Sequence, residues 1–117
     1  SFKRDSFTYP TELGVVKLDG VLYAYAANIV EPLLGTVSWV PKESKLTCKL
    51  GKNTVEFWLG NTKAKVNGKL VPIDADPKIV PKASQGIMHV PLAFLCKSLK
   101  AAMSFDSKTG TATISYP

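Results

Sequence analysis

Residues 65–114 decide the fold, and they read KVNGKLVPIDADPKIVPKASQGIMHVPLAFLCKSLKAAMSFDSKTGTATI. Asn67–Gly68 lies between two apolar runs, and an Asn-Gly pair in that position is the strongest short-range signal for a β-hairpin. Residues 74–85 contain two prolines, so we expect them to be irregular. A helix begins at Pro91, and residues 102–116 form a second hairpin. The stretch therefore predicts the order hairpin, irregular segment, helix, hairpin.

The predicted helix after Pro91 is amphipathic and ends near Lys100. Proline at the first helical position costs little, because the N–H that it lacks has no partner within the helix there. Apolar side chains recur three and four residues apart, which places them on one face of a helix. That stripe, which we expect to be buried, consists of Leu92, Leu95, Cys96 and Leu99.

Residues 17–50 contain a shorter version of the same order. Asp19–Gly20 favours a two-residue hairpin turn. Residues 24–34 show helical spacing, but Pro32 removes a backbone donor, so we expect the helix to kink or to end early there. After Gly35, alternating apolar and polar residues predict strands, which cover residues 36–40, 45–50 and 54–59.

These periodicities predict an α+β fold, in which an antiparallel curved sheet wraps around two short helices. A length of 117 residues is that of one domain. We interpret the chain as two related strand–helix–hairpin units, because one such unit buries too little apolar surface to be stable alone. We expect residues 1–12 to form a loose arm, residues 13–60 the first unit and residues 61–117 the second. The irregular proline segment has no counterpart in the first unit.

The formal net charge is +6, and it comes from lysines spread along the chain, with Arg4 as the single arginine. Proteins that read nucleic acids use arginine forks and cluster positive charge on one face, so we expect no nucleic-acid partner. A lysine surface does attract anionic cell-wall polymers weakly. No apolar run approaches the ~20 residues of a membrane span. The first residues do not resemble a signal peptide. Because a mature protein or an excised domain also lacks one, this leaves open whether the protein is secreted.

No group of residues indicates an active site. Nucleophilic catalysis needs a Ser or Cys beside a base, and no such motif occurs. His89 is the single histidine, and a metal site needs several ligands, so we interpret it as a structural or surface residue. Asp74 and Asp76 precede a proline, where an Asx turn is a simpler explanation than a calcium site. We therefore expect no catalytic, cofactor-binding or metal-binding residues, and no enzymatic activity.

Two cysteines, Cys48 and Cys96, are too few for a disulfide framework. Cys48 alternates with Leu46 and Leu50 on a predicted strand, so it should point inward. Cys96 belongs to the apolar stripe of the second helix. Free cysteine is among the most buried residue types. Two alternatives remain open: two separate buried thiols, or a Cys48–Cys96 disulfide.

Trp58 is the main candidate for a binding role. The alternation of its strand places it on the face opposite Phe57, and an exposed tryptophan on a sheet is a common anchor for partners or sugars. Tyr23, Tyr25 and Tyr9 are expected to extend an aromatic patch around it. The alternative is that the N-terminal arm or a helix covers Trp58.

Two stretches of the chain resemble the copper amine oxidase N-terminal domain family, also called the stalk domain. The second half carries NGKLVPIDADPKIV and HVPLAFLCKSLKAAMSFDSKTGTATI, which follow the family's order of an NGK hairpin, a proline segment, VPLRFIAEALGA, VSWD and a closing strand. The first half matches more loosely through DGVLYAYAANIVEPLLGTVSW. Together the two stretches cover most of residues 15–116.

The resemblance implies an α+β module in an extracellular or cell-surface setting of bacterial type, with Trp39 packed in the core. It implies no cofactor here, since the copper and quinone of the amine oxidases belong to another domain. Ala93 stands where the family has an arginine, which puts any contact of that arginine in doubt. Leu99–Lys100 replaces the helix-ending Leu-Gly of the family, and Pro32 is a further departure. These last two concern local backbone geometry alone.

Together the residues and the resemblance predict a non-catalytic, secreted or cell-surface structural or interaction module: a stalk, a spacer or a docking domain. We expect a protein or a cell-wall polymer as its partner. A first alternative is a carbohydrate or cell-wall binding module that uses Trp58 with nearby tyrosines and lysines. A second alternative is a small enzyme or enzyme inhibitor, which requires a concave pocket with converging titratable groups.

Overall fold

The structure of the protein is a computed structural model, and it describes residues 5–10, 15–84, 86–106, 108 and 111–116. The strands of these residues are β1 Asp5–Pro10, β2 Val15–Leu18, β3 Val21–Ala24, β4 Thr36–Val40, β5 Lys45–Leu50, β6 Asn53–Trp58, β7 Lys63–Val66, β8 Lys69–Pro72, β9 Lys82–Ser84, β10 Ile87–Pro91, β11 Ala102–Asp106 and β12 Thr111–Tyr116. The α-helices are α1 Ala26–Val30 and α2 Leu92–Ser98, and short 3-10 helices cover Glu31–Leu33 and Pro41–Glu43.

The described strands form three antiparallel sheets. Their orders are β1-β12-β11, β2-β3-β10-β9 and β4-β5-β6-β7-β8. The predicted α+β class, with antiparallel strands and two short helices, is confirmed. The division into three hydrogen-bonded sheets differs from the single curved sheet that the sequence indicated. Periodicity identifies strands but carries no information on which strands are neighbours.

The two Gly-containing hairpin turns are confirmed. Asp19 and Gly20 have φ angles of 52° and 81°, and Asn67 and Gly68 have φ angles of 51° and 84°. Positive φ at both central residues is the geometry of a type I′ turn, which matches the twist of the flanking strands. The local sequence therefore specifies the turns that join β2 to β3 and β7 to β8.

Helix α1 ends early, as Pro32 predicted. It closes at Val30, and Pro32 lies in the 3-10 helix that follows. Leu34 then takes the left-handed conformation at φ 72°, and the N–H of Gly35 donates to the carbonyl of Val30 at 3.0 Å. This arrangement satisfies backbone carbonyls at the helix end. A residue with a side chain, rather than glycine, occupies the left-handed position here.

Helix α2 begins one residue later than predicted, because Pro91 closes β10 and Leu92 is the first helical residue. Its C-terminal end repeats the geometry of α1. Lys100 is left-handed at φ 63°, and the N–H of Ala101 donates to the carbonyl of Cys96 at 2.8 Å. The predicted apolar stripe is confirmed, and each member is at most 3 % exposed; it comprises Leu92, Leu95, Cys96 and Leu99.

The core lies between the helices and the sheets. The inner face of β6 contributes Val55 and Phe57, both fully buried. The Phe57 ring meets that of Phe94 on α2 edge to face, with ring centroids 5.9 Å apart. The predicted strand included residue 59, which alternation would place on this face, but Leu59 follows the last residue of β6 and is 42 % exposed. The alternation rule ceases to apply where the strand ends.

The predicted loose arm is wrong for the part that the structure describes. Residues Asp5–Pro10 form β1, which pairs with β12 over its whole length, from Asp5 opposite Tyr116 to Pro10 opposite Thr111. The loose arm was predicted from the polarity of this stretch. That prediction gave too little weight to the high β-propensity of Phe7, Thr8 and Tyr9. The other residues of the predicted arm lie outside the described ranges. Residues Lys82–Ser84, expected to be irregular, form β9.

One residue spacing recurs throughout the fold. Thr36 pairs with Lys49 between β4 and β5, and Ala102 pairs with Ser115 between β11 and β12, each 66 positions further on. The β2–β3 and β9–β10 pairings are related by the same shift. Ala24 on β3 pairs with Val90 on β10, which is its own counterpart at this spacing. The sheet β2-β3-β10-β9 therefore has the same strand order and register when read from either end.

Candidate binding grooves

Tyr23 does not lie on the surface. The sequence placed it in an exposed aromatic patch, but it is 1 % exposed. Its hydroxyl donates to the carbonyl of Val80 at 2.9 Å, and the Lys82 ammonium lies 5.6 Å from the ring centroid. Burial raises the pKa of Tyr23. Alternation does not decide its position, because the neighbouring Ala24 is buried as well. Strand β3 lies between β2 and β10 in its sheet, and the pairing with β10 is invisible in the sequence.

Trp58 is half-buried on the outer face of the five-stranded sheet, opposite the core side of β6. It pairs across the strands with Lys45, whose ammonium lies 3.2 Å from Glu56 and 3.6 Å from Glu43. The hydrogen bond to Glu56 raises the pKa of Lys45. Trp58 therefore lies on the face opposite Phe57, beside charged groups, but its side chain is half-buried and not fully exposed. The side chain of Tyr9 lies outside the described part of the structure.

Trp39 is the second aromatic residue that sequence reasoning misplaced. It was expected to pack in the core, but it is 45 % exposed. Its strand, β4, is an edge strand of the five-stranded sheet, so no further strand covers it on one side. Alternation does direct it to the inner face, but the core does not extend to this corner. The one sign in the sequence that Trp39 is less covered than expected was that the first half of the chain has no counterpart of the proline segment.

A groove of about 350 Å³ opens beside Trp39. We call it the Trp39 groove, and its walls come from α1 with the 3-10 helix that follows it, from β4 and β5, and from β10 with the turn before it. Tyr25, which the sequence proposed as a partner contact, is 37 % exposed and lines it. Ile87, 43 % exposed, lies on the same wall as Met88. The volume falls in the ~300–1,000 Å³ range of ligand sites.

The charge of the Trp39 groove differs from that of the whole chain. Glu31 is the one acidic residue among its described lining residues, and none of the described lining side chains is a lysine or an arginine. The chain as a whole carries a net charge of +6. The groove is therefore a locally acidic, aromatic surface on a basic domain, and it favours neutral or cationic groups.

A second groove, of about 360 Å³, lies beside α2, and we call it the Lys97 groove. Its lining includes Lys97, Phe94 and Met103. The proline segment forms part of its wall through Ile73, which is 7 % exposed, and through the half-buried Ile79. Asp74 of the same segment also lines it. This groove is therefore partly closed by a stretch of its own chain.

The two grooves are built from corresponding positions. A shift of 66 residues converts one wall of the Trp39 groove into one wall of the Lys97 groove; it relates Tyr25 to Pro91, Ala27 to Ala93, Glu31 to Lys97 and Val37 to Met103. In the same way, Ile87 and Met88 correspond to Val21 and Leu22. The charge at the corresponding position is reversed, because a glutamate in one groove stands where the other has a lysine.

A third cluster ties the β2–β3 turn to the proline segment. The Lys82 ammonium donates to Asp19 Oδ2 at 2.8 Å. This hydrogen bond lowers the pKa of Asp19 and raises the pKa of Lys82. Both groups face solvent, where an ion pair stabilises a fold only weakly. We interpret the pair as a contact that orients the segment, with no chemistry of its own.

Replacing Asp19 by asparagine should lower the melting temperature at neutral pH by a few degrees at most. The pKa of Asp19 is lowered in the folded protein, so the ion pair stabilises the fold above pH 3.8, the ordinary pKa of the group. This stabilisation is lost as the pH falls through the pKa that Asp19 has in the folded protein. The pKa of Lys82 is raised in the folded protein, so the ion pair stabilises the fold below pH 10.5, the ordinary pKa of the group. This stabilisation is lost as the pH rises through the pKa that Lys82 has in the folded protein. Thermal unfolding of both proteins across this range is the measurement.

The difference between wild type and Asp19→Asn should therefore vanish at both pH extremes. Asp76→Asn is the matched control, because asparagine keeps the oxygen that accepts the N–H of Lys78 at 2.9 Å. A pH-independent difference for Asp19→Asn would show that the ion pair is not its cause.

The cysteines and the histidine are held within the fold. Cys48 and Cys96 are free and buried, which decides between the two alternatives left by the sequence. Burial raises the pKa of each thiol to about 12, so neither forms the thiolate that nucleophilic chemistry needs. His89 is 7 % exposed, and its Nδ1 lies 2.9 Å from the carbonyl oxygen of Ile87. Asp74 Oδ1 accepts the N–H of Asp76 at 2.9 Å, as expected for an Asx turn.

The described residues hold neither a cluster of metal ligands nor a helix that could span a membrane. No three His, Cys, Asp or Glu side chains among them are grouped so that they hold a metal ion. Neither of the helices in the described ranges has the length and apolar character needed to cross a membrane.

Comparison with known proteins identifies the domain. A search of curated proteins gave no significant match, and a search of solved structures gave none either. The family model of the copper amine oxidase N-terminal domain matches residues 8–114, which is nearly the whole chain. That domain is a non-catalytic part of the copper amine oxidases. With the fold and the sequence motifs in agreement, the chain belongs to the copper amine oxidase N-terminal domain family.

Proposed function

We propose that this domain is a non-catalytic, secreted or cell-surface interaction module that holds a partner through the Trp39 groove. One observation carries the proposal. Among the described residues, six large hydrophobic side chains are exposed, and three of them line this single groove; they are Tyr25, Trp39 and Ile87. Scattered exposed apolar residues are normal, but a cluster of them in a concavity is typical of a binding surface.

The residue types in the groove support a binding role. Tryptophan and tyrosine dominate the energetics of protein interfaces, because each brings a large rigid surface with one polar group. Trp39 and Tyr25 lie on β4 and at the start of α1, so regular elements rather than a loop hold both anchors. A surface held in this way binds without a large ordering cost.

Two further lines support the absence of chemistry in this domain. The family to which it belongs is a non-catalytic domain. The side chains best suited to nucleophilic or metal chemistry, Cys48, Cys96 and His89, are all buried and lie outside the described lining of the Trp39 groove. The family occurs in secreted enzymes, which supports a setting outside the cell and a role as stalk, spacer or docking domain.

We also propose that the domain arose by duplication of a unit that covers residues 15–50 and again residues 81–116, so that corresponding positions lie 66 residues apart. The shared registers, the shared helix ends at Leu34 and Lys100, and the shared groove walls support this. The units differ from those that the sequence suggested, since β9–β10, not β7–β8, corresponds to β2–β3. In this scheme the β7–β8 hairpin is an insertion between the two copies.

The proposal predicts that the groove retains the protein on the cell surface. In the host, the fraction of tagged protein that stays on washed cells and is accessible to added protease is measured. Replacing Trp39 and Tyr25 together by alanine should reduce that fraction at least tenfold, because each anchor is expected to contribute more than about 1.4 kcal/mol. The melting temperature of the purified variant establishes that it folds.

Trp58→Ala is the matched control for this experiment. It removes the second tryptophan of the chain from the opposite side of the sheet. If the Trp58→Ala variant is retained on the cell surface as well as wild type is, this supports binding through the Trp39 groove. Loss of retention with Trp58→Ala alone would favour the alternative in which Trp58 anchors a cell-wall carbohydrate. A protein found inside the cell would contradict the proposal as a whole.

A further inference from the structure

We propose that the Trp39 groove binds a non-helical peptide segment of a partner protein, with two aliphatic side chains about six residues apart and a basic residue next to the first. This inference rests on the proposed function and names the class of partner. The observation behind it is the Lys97 groove, where a segment of the same chain supplies one wall.

The proline segment supplies one wall of the Lys97 groove. Ile73 is nearly buried and Ile79 packs against the core cluster. Between them, Asp76 Oδ1 accepts the N–H of Lys78, and the Asp76 carbonyl accepts the N–H of Ile79 at 3.1 Å. The segment is thus a non-helical stretch that presents an aliphatic side chain at each end. Pro77 restricts the chain between them, which lowers the entropy lost on docking.

Two of the six corresponding positions, Tyr25 and Ile87, are more exposed in the Trp39 groove than their counterparts Pro91 and Val21 are in the Lys97 groove. Two others are less exposed in the Trp39 groove; these are Ala27 against Ala93 and Met88 against Leu22. The open apolar surface of the Trp39 groove is therefore local, around Tyr25 and Ile87. A peptide placed like the proline segment would cover the apolar surface that remains open at the Trp39 groove.

Charge specifies the occupant further. Asp74 of the proline segment and Lys97 of α2 line one groove, with opposite charges. Glu31 holds the position of Lys97 in the Trp39 groove. A fitting peptide therefore carries lysine or arginine where the proline segment has Asp74. The same argument disfavours the proline segment of a second copy of this chain, since its Asp74 would face Glu31.

Two synthetic peptides test this assignment. Both cover residues 71–82, VPIDADPKIVPK, and one carries the change Asp74→Lys. Each is titrated into the whole domain labelled with ¹⁵N. The lysine peptide should shift the indole N–H of Trp39 and the amides of Glu31 and Ile87, and it should bind about threefold to tenfold more tightly than the natural peptide.

A charge exchange makes the test specific. The domain variant Glu31→Lys should prefer the natural peptide over the Asp74→Lys peptide, by a similar factor. Trp39→Ala should abolish binding of both, and Trp58→Ala should leave it unchanged. The inference is overturned if neither peptide causes shifts at millimolar concentration, or if Glu31→Lys leaves the preference as it was.

Two other occupants are separate outcomes that would also overturn it. Shifts at Trp39 with cellohexaose or N-acetylglucosamine oligomers, in the absence of shifts with the peptides, would identify a carbohydrate site. Shifts that grow with domain concentration alone would identify a second copy of the chain. If Trp39 and Tyr25 are needed for surface retention but the peptides do not bind, the proposed function stands and this inference fails.

Discussion

Replacing Phe57 by alanine is expected to lower the free energy of unfolding by about 3–5 kcal/mol, since a large buried aromatic side chain is removed and its cavity is only partly refilled. Phe57 is fully buried at the centre of the five-stranded sheet, where β6 pairs with both β5 and β7. Its ring also meets that of Phe94 on α2, which adds an aromatic contact to the area that it buries. Urea unfolding followed by circular dichroism measures the change.

Trp58→Ala is the control for this prediction, because Trp58 is the next residue on the same strand and points to the opposite face. It is larger than Phe57 but only half-buried, so its removal should cost about 1 kcal/mol. Equal costs for the two variants would mean that the outer face of this sheet is covered as well as its inner face. A domain of this size has about 5–15 kcal/mol of stability in total. Phe57→Ala therefore removes a large share of the free energy of unfolding of the domain.

Phe57 also connects the core to the proposed binding surface. Its strand, β6, pairs with β5, and β5 pairs with β4, the strand that carries Trp39. Through Phe94 the same ring contacts α2. A loss of packing at this point loosens the sheet whose edge forms one wall of the Trp39 groove.

The sequence predicted what local chemistry determines. Asp19–Gly20 and Asn67–Gly68 specify their turns because both central residues tolerate positive φ. Pro32 ends α1 because it has no N–H to donate. Each of these outcomes depends on a few neighbouring residues, so periodicity and turn chemistry were sufficient to locate the elements.

The residues that were misplaced depend on distant parts of the chain. Tyr23 is buried because β3 pairs with β10, more than sixty residues away. Trp39 is exposed because its strand lies at a sheet edge where the core ends. Residues Asp5–Pro10 are ordered by pairing with the far end of the chain. The family resemblance placed Trp39 in the core, but an exposed position in one member is set by that member's own packing.

Gly35→Ala is expected to destabilise the domain by about 3 kcal/mol through crowding rather than through backbone strain. A β-carbon at position 35 would overlap the carbonyl oxygen of Lys49 and a methyl group of Val30, and it would lie 3.2 Å from Leu50. The φ angle of Gly35 is not positive, so alanine meets no conformational penalty of its own there. The obstacle is a backbone atom of β5, which cannot move without displacing the strand.

The matched variant Gly60→Ala separates the two causes. Gly60 has a φ angle of 76° and nothing within 4 Å of an added β-carbon, so alanine there meets strain without crowding and should cost about 1 kcal/mol. Relief of the overlap at position 35 requires α1 to move away from β5, and these elements form two walls of the Trp39 groove. Gly35→Ala should therefore also shift the fluorescence of Trp39 and weaken groove binding, whereas Gly60→Ala should change stability alone. A Gly35→Ala protein with unchanged stability would mean that the contact between α1 and β5 is looser than the structure shows, and that the groove is not held rigid by it.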